Sequence, residues 1–323
     1  MCACRLSAIA DAPRNNFLSQ ALMHLQFTKR PATFSLRLTV SFIPSHFLKG
    51  VRPVPSRNSL GASFSTYMPL KMQIADSYDQ PAWQSWLQDL PEAVAQFPEK
   101  SLLQGGRNQL FRCRFEGVDL VVKRFPNDGV WKKTVYRIWD SKAKRSYLHT
   151  QRLNQAGLSS PAPVAWLEAW EGQWLNESFY VCLFVPFEHE ARKLHQLHLP
   201  QREEKARLLG HSLAKMHCAE ILHLDLTPGN LLYTPRQSSG WDIQIVDNNR
   251  MRFGPVPRRA AITSLAQADL PDDLLSPMLS TYAESVRIPV GELEKAYRRR
   301  SQSYALKWRI KNATRPLRRK IGL

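Results

Sequence analysis

The stretch HLDLTPGN at residues 223–230, followed by IQIVD at 243–247, decides how this chain is read. It sets a carboxylate, Asp225, five positions ahead of an amide, Asn230, and closes an apolar run on a second carboxylate, Asp247. Moving a phosphoryl group asks few things of a protein. It needs a carboxylate near the attacking hydroxyl, oxygen ligands for magnesium, and a cation on the phosphates. Asp225 is the candidate base. Asn230 and Asp247 carry the hard oxygen atoms that suit magnesium. His223 is placed to hold the loop backbone rather than to do chemistry. The surroundings agree. Segment 202–220 sets Leu208, Leu209, Leu213 and Met216 at helical spacing ahead of the loop, and strand-like runs at 230–233 and 243–246 follow it.

Upstream, Lys123 lies in LVVKRF at 120–125, a run expected to form a strand. A buried ammonium needs an anionic partner, and the phosphates of ATP supply one, which makes Lys123 a candidate catalytic and nucleotide-binding residue. Gly105 and Gly106 precede it by eighteen and seventeen residues, room for two strands and a hairpin turning at Gly117. They are the candidate glycine turn through which backbone approaches the phosphates. Taken singly, these features belong as readily to a loop carboxylate, a strand-edge lysine and a plain turn. Their joint order is the specific signal: glycine turn, strand lysine, helix over 141–156 ended by Gly157, strand pair over 161–170 and 178–187, helix, loop, apolar run with acid. It predicts a protein-kinase-like α+β fold, with a strand-rich small lobe at 72–188, including a preceding helix over 82–97 that Pro91 interrupts, and a helical large lobe at 189–294.

The whole chain has 323 residues with an ordinary hydrophobic fraction of 43%. No apolar run reaches membrane-spanning length. Five scattered cysteines imply neither a metal set nor a disulfide framework, which suits a reducing cytoplasm. The net charge of +18 sits at the ends: residues 1–70 hold eight bases and one acid, 295–323 hold eleven bases and no acid, and the middle is neutral. Segment 1–70 is expected to be a mis-assigned or disordered extension, with a basic, Ser-rich targeting segment as the alternative. Segment 295–323, where aromatic and apolar residues interleave with bases, reads either as an arm on an anionic membrane surface or as a solvated tail. No nucleic-acid motif accompanies the charge.

The chain resembles the bacterial lipopolysaccharide core kinases, the Kdo and heptose kinases, over roughly 102–252. The resemblance rests on VVKRF at 121–125, SKAKRSYLHTQRLNQAGLSSPAPVAWLE at 141–168, HLDLTPGNLLY at 223–233 and VDNNRMRF at 246–253. It implies ATP- and Mg2+-dependent phosphorylation of a sugar hydroxyl on lipid-linked inner-core saccharide, at the cytoplasmic face of the inner membrane. It implies Asp225 as base, Asn230 and Asp247 as magnesium ligands, and Lys123 on the phosphates. Three departures stand out. No acid lies between Asp140 and Glu168 to pair with Lys123 from the helix, so either the pair is lost or Asp140 replaces it. Thr227 stands two positions after Asp225, where protein kinases carry Lys. Asn248 and Asn249, not Phe-Gly, follow Asp247, so a phosphorylated activation loop is not expected. A soluble-substrate phosphotransferase of the aminoglycoside or choline type and a catalytically silent pseudokinase are the alternative readings.

Overall fold

The computed structural model describes residues 70–106, 108–127, 136, 139–236 and 240–303. The expectations placed on residues 1–69 and 304–323 lie outside it. The first strand, β1 (Leu70–Ile74), begins two residues ahead of Met72. It leads into helix α1 (Pro81–Ala93) and then to strands β2 (Leu102–Gln104), β3 (Gln109–Phe115) and β4 (Val118–Pro126). Helix α2 (Lys142–Gln155) and strands β5 (Pro163–Glu171) and β6 (Trp174–Leu183) complete the small lobe. The six strands form one antiparallel sheet in the order β1-β5-β6-β4-β3-β2.

Alternation along the strands gives each face its own helix. Leu120 and Val122 of β4, with Phe179 and Val181 of β6, point to the face covered by Trp83, Leu87, Leu90 and Val94 at the α1 side. Phe125, Tyr180, Cys182 and Trp166 point the other way, onto Ala143 and Tyr147 of α2. Lys123 shares this second face. α1 runs through Pro91 rather than breaking there, and only then loosens into a 3-10 turn at Val94–Gln96. The helix loses one internal hydrogen bond at the proline. Burying three large side chains on the sheet, at about 1.5–3 kcal/mol each, offsets that loss. α2 starts at Ser141, whose hydroxyl accepts from Lys144 N at 3.1 Å, and ends before Gly157 at φ 69°, where Lys215 Nζ donates to the Gly157 carbonyl.

The linker 184–188 leads to a short strand β7 (His189–Glu190) and helix α3 (Leu199–Cys218). Strands β8 (Ile221–His223), β9 (Leu231–Pro235), β10 (Trp241–Ile245) and β11 (Met251–Phe253) follow. They build a β10-β9-β7 sheet and a β11-β8 pair. Helices α4 (Arg258–Gln267) and α5 (Asp272–Val286) and a further helix over 290–303 finish the large lobe. α3 and α5 cross at Gly210, where an added Cβ would strike the Met278 carbonyl. Leu293 and Tyr297 of the last helix are buried in this lobe's core, so the start of the basic stretch 295–323 is docked helix.

Candidate active site

Two of the predicted residues, Lys123 and Asp247, meet across the lobes. Asp225 and Asn230 share one loop, and among the described residues no side-chain contact joins Gly105 or Gly106 to them. Cross-strand register aligns Gln104, Leu110, Lys123 and Tyr180 in one row of the sheet. The glycine turn at Gly105 and Gly106 therefore leaves β2 two strands from Lys123, about 10 Å at ordinary strand spacing. Gly106 has φ 111°, a conformation suited to a residue without Cβ.

Below the cleft, the loop between β8 and β9 is closed by its own backbone. Thr227 N donates to Asp225 O at 2.9 Å, and Asn230 N to Thr227 O at 2.9 Å. Asn230 sits in a 3-10 turn, Pro228–Asn230, not in the following strand. Its Nδ2 donates to Asp225 O at 2.9 Å, which leaves Oδ1 as the atom able to ligate a cation. His223 is wholly buried, and its Nδ1 accepts from Asp225 N at 3.1 Å, so its proton is carried on Nε2. Burial pushes the ring down to about 4, outweighing the nearby Asp247 and Asp225 carboxylates. A neutral imidazole thus pins the loop. Asp225 keeps its carboxylate at the surface, where Arg250 Nη1 meets Oδ2 at 3.1 Å.

Asp247 follows β10 with φ 60°, a left-handed backbone that few non-glycine residues adopt. Such a backbone persists where its surroundings hold it. Lys123 Nζ reaches its Oδ1 at 2.5 Å, joining lobes across 124 residues of sequence, and Asn249 Nδ2 donates to the same oxygen at 2.5 Å. Burial pushes the Asp247 carboxyl up, but Lys123, through charge and hydrogen bond, with help from His223 and Asn249, brings the net shift down. The ion pair answers the question left by the acid-free helix. Lys123 pairs with Asp247, while Asp140 pairs with Lys144 at 2.7 Å, one turn along α2.

α2 acts on this site through a contact the sequence did not announce. His149 Nδ1–H donates to Asn248 O at 2.7 Å. The Asn248 side chain, buried, donates from Nδ2 to Thr150 Oγ1 at 2.9 Å and Ser160 Oγ at 2.8 Å. The residue after Asp247 is thereby bolted to the small-lobe helix. An asparagine directly after the magnesium-type carboxylate, in place of Phe, was the available signal. Nothing in the local pattern of α2 marks His149 or Thr150 as its partners.

The residue types present fit a nucleotide phosphate with magnesium. The Asp247 carboxylate meets a lysine. Asn230, whose backbone carbonyl accepts from Val246 N at 3.0 Å, has its amide oxygen to offer, and phosphate oxygens complete such a donor set. No group of three or more His, Cys, Asp or Glu able to hold a metal by themselves exists among the described residues. An open cavity of about 740 Å³ lies at the linker, lined by Val185, Phe187, Glu188, Thr234, Arg236 and Asp242 among others. Lys123, Asp225, Asn230 and Asp247 are not among its walls.

A strand-rich lobe with a lysine facing its cleft, a linker, and a helical lobe carrying the Asp225–Asn230 loop define the two-lobed protein-kinase-like fold. Among solved structures, the chain is similar to WaaP, determined in complex with acyl carrier protein: 18% identity over 72% of this chain and 98% of that one, with a TM-score of 0.51. No protein-family model matches the sequence, and no curated protein does.

Proposed function

We propose that this chain is an ATP-dependent kinase that phosphorylates a sugar hydroxyl, Kdo or heptose, on the inner core of lipopolysaccharide. The observation that carries the phosphotransfer reading is the 2.5 Å Lys123–Asp247 pair, reached across the cleft beside the Asp225–Asn230 loop. The likeness of fold to WaaP supports it. The choice of acceptor rests on the motif resemblance over 121–125, 141–168, 223–233 and 246–253.

In this reading Lys123 leaves the bare carboxylate for the phosphates when nucleotide enters, and Gly105 and Gly106 let backbone N–H groups close over them. Asn230 and Asp247 would hold magnesium, which supplies charge neutralisation at the phosphates. Asp225 orients the acceptor hydroxyl and accepts its proton as the new P–O bond forms, while the bond to the departing ADP oxygen breaks. The pinned loop and the His149–Asn248 contact hold these groups in place before substrate arrives. The absence of a helix acid favoured a silent pseudokinase. What weighs against it is that Lys123, Asp225, Asn230 and Asp247, the positions phosphotransfer draws on, are all filled. The acceptor is lipid-linked, so the protein works at the cytoplasmic face of the inner membrane, with the bases of 295–323 facing anionic lipid. No helix among the described residues is long and apolar enough to cross a membrane.

The test is phosphate transfer from ATP by the full chain with magnesium and dephosphorylated lipopolysaccharide core, native against Asp225→Ala. Transfer to the glycolipid that drops by about 10²–10⁴-fold in the variant is expected, the range for loss of a positioned base. ATP binding without transfer to the glycolipid would refute the acceptor assignment and direct the search to soluble hydroxyl compounds.

A further inference from the structure

Two guanidinium groups flank the catalytic loop, and neither belongs to the set that holds phosphate and magnesium. Arg250 follows the Asp247 turn. Pairing of β11 with β8 sets Met251 opposite His223, and Leu224 N donates to Arg250 O at 2.9 Å, so its backbone is fixed beside the loop. Its Nη1 rests on Asp225 Oδ2. Arg192 arrives from a different element. β7 pairs with β9, Glu190 opposite Leu232, and a 3-10 segment over Ala191–Gln196 starts there. Glu190 holds Arg192 Nε, and the guanidinium lies against Gly229 so closely that a Cβ at that position would collide with Nη2. The glycine of LTPGN therefore makes room for a cation brought from elsewhere in the chain.

Both side chains stay exposed, 61% for Arg192 and 56% for Arg250, although each has a carboxylate contact. An arginine has five donors in a planar fork, so one carboxylate contact leaves donors to offer. Thr227 stands where the loop itself could have carried a cation. In the kinase reading the phosphates of the nucleotide belong with Lys123, and with Asp247 only through magnesium. Arg250, by contrast, touches the carboxylate that faces the acceptor.

The geometry points to Arg192 and Arg250 as a clamp for an anionic group on the acceptor: a sugar that already carries a carboxylate or a phosphate near the hydroxyl that reacts. The assignment rests on the kinase reading above. Docking of that group draws Arg250 off Asp225 and frees Oδ2 for the hydroxyl proton, so acceptor binding and readiness of the base are one exchange of partners. A neutral sugar leaves the Arg250–Asp225 pair closed.

The experiment measures binding by calorimetry to the full chain loaded with magnesium and ADP. The probes are two matched pairs: Kdo with its methyl ester, and mannose 6-phosphate with mannose. Proteins are the native chain, Arg192→Gln, Arg250→Gln and Arg192→Lys. In at least one pair the anionic sugar binds about tenfold or more tighter than its neutral twin, as a charge-assisted contact supplies. The pair that shows it tells carboxylate from phosphate. Each Gln variant removes the preference, Arg192→Lys keeps part of it, and ADP affinity holds within about twofold. Equal binding of both members of both pairs to the native chain overturns the clamp. So does a preference that survives both Gln variants, or an equal loss of ADP affinity, which would put the arginines on the nucleotide. A native chain that binds no ADP with magnesium overturns the kinase reading itself, and the clamp with it.

Discussion

Replacing Lys123 with Met tests the pair at the centre of the site. The side chains of Lys123 and Asp247 are 14% and 30% exposed, so the pair is neither fully solvated nor sealed. Exposed pairs contribute about 0–1 kcal/mol, while breaking a buried one costs about 3–5 kcal/mol. The expected loss at neutral pH is therefore about 1–3 kcal/mol. For a chain of this size that lowers Tm by about 2–4 °C per kcal/mol. The loss has a pH signature. In the native protein the Asp247 carboxyl is held below its ordinary value. A depressed carboxylate adds stability that is full above its unfolded pKa, 3.8 for this group, and disappears as pH falls through the lower folded value. Without Lys123 the largest remaining influence on Asp247 is burial, which raises its pKa. The variant then suffers most where Asp247 must be charged, and its deficit narrows as pH is lowered from 7 toward 4. Thermal or urea unfolding of both proteins across that range reads the difference. Transfer activity should fall by at least about 10²-fold as a preorganised cation is lost. A deficit that is absent at pH 7, or that stays constant with pH, would show that the two groups are not paired in solution.

Other substitutions report on the scaffold. Gly210→Ala sets a methyl group against the Met278 carbonyl, and its nearest other neighbour, the Met278 carbonyl carbon, is at 3.1 Å; α3 and α5 must part, and urea unfolding should show a loss of about 1–3 kcal/mol. Asn248→Ala leaves Thr150 and Ser160 without their shared donor, so stability falls by about 1–3 kcal/mol, and transfer falls with ADP affinity retained, measured by calorimetry beside the kinetic assay. His217 is buried against the Tyr282 hydroxyl and pushed down to about 3. Its folded pKa lies below the unfolded value of 6.5, so the unfolded chain takes up the proton first and stability declines as pH falls below about 6.5, by up to about 1.4 kcal/mol per unit. His217→Gln should flatten part of that decline; an unchanged slope would remove His217 as its source.

Much of this was legible along the chain because the signals are local. An apolar, β-branched run at 120–125 says that Lys123 sits on a strand, and a strand fixes its face. The five-residue step from Asp225 to Asn230 is a property of one loop, closed by Asp225 O accepting from both Thr227 N and Asn230 Nδ2. Pro91 shows where local rules yield. A proline ordinarily ends a helix, yet α1 continues because Trp83, Leu87 and Leu90 are buried on the sheet, and burial is decided by what lies opposite.

The sequence by itself determined the order of glycine turn, strand lysine, helix, Asp225–Asn230 loop and the carboxylate of Asp247, since each is set by spacing within a few residues. Only the tertiary structure decided which acid meets Lys123, that His149 and Thr150 grip the residue after Asp247, and that Arg192 lies on Gly229. Each of these joins groups on different elements, Lys123 and Asp247 being 124 residues apart. Periodicity tells a residue which face it occupies. Its partner is chosen by how the lobes pack, because charge and hydrogen-bonding energies fall away within a few ångströms and act only between groups that packing has already brought together.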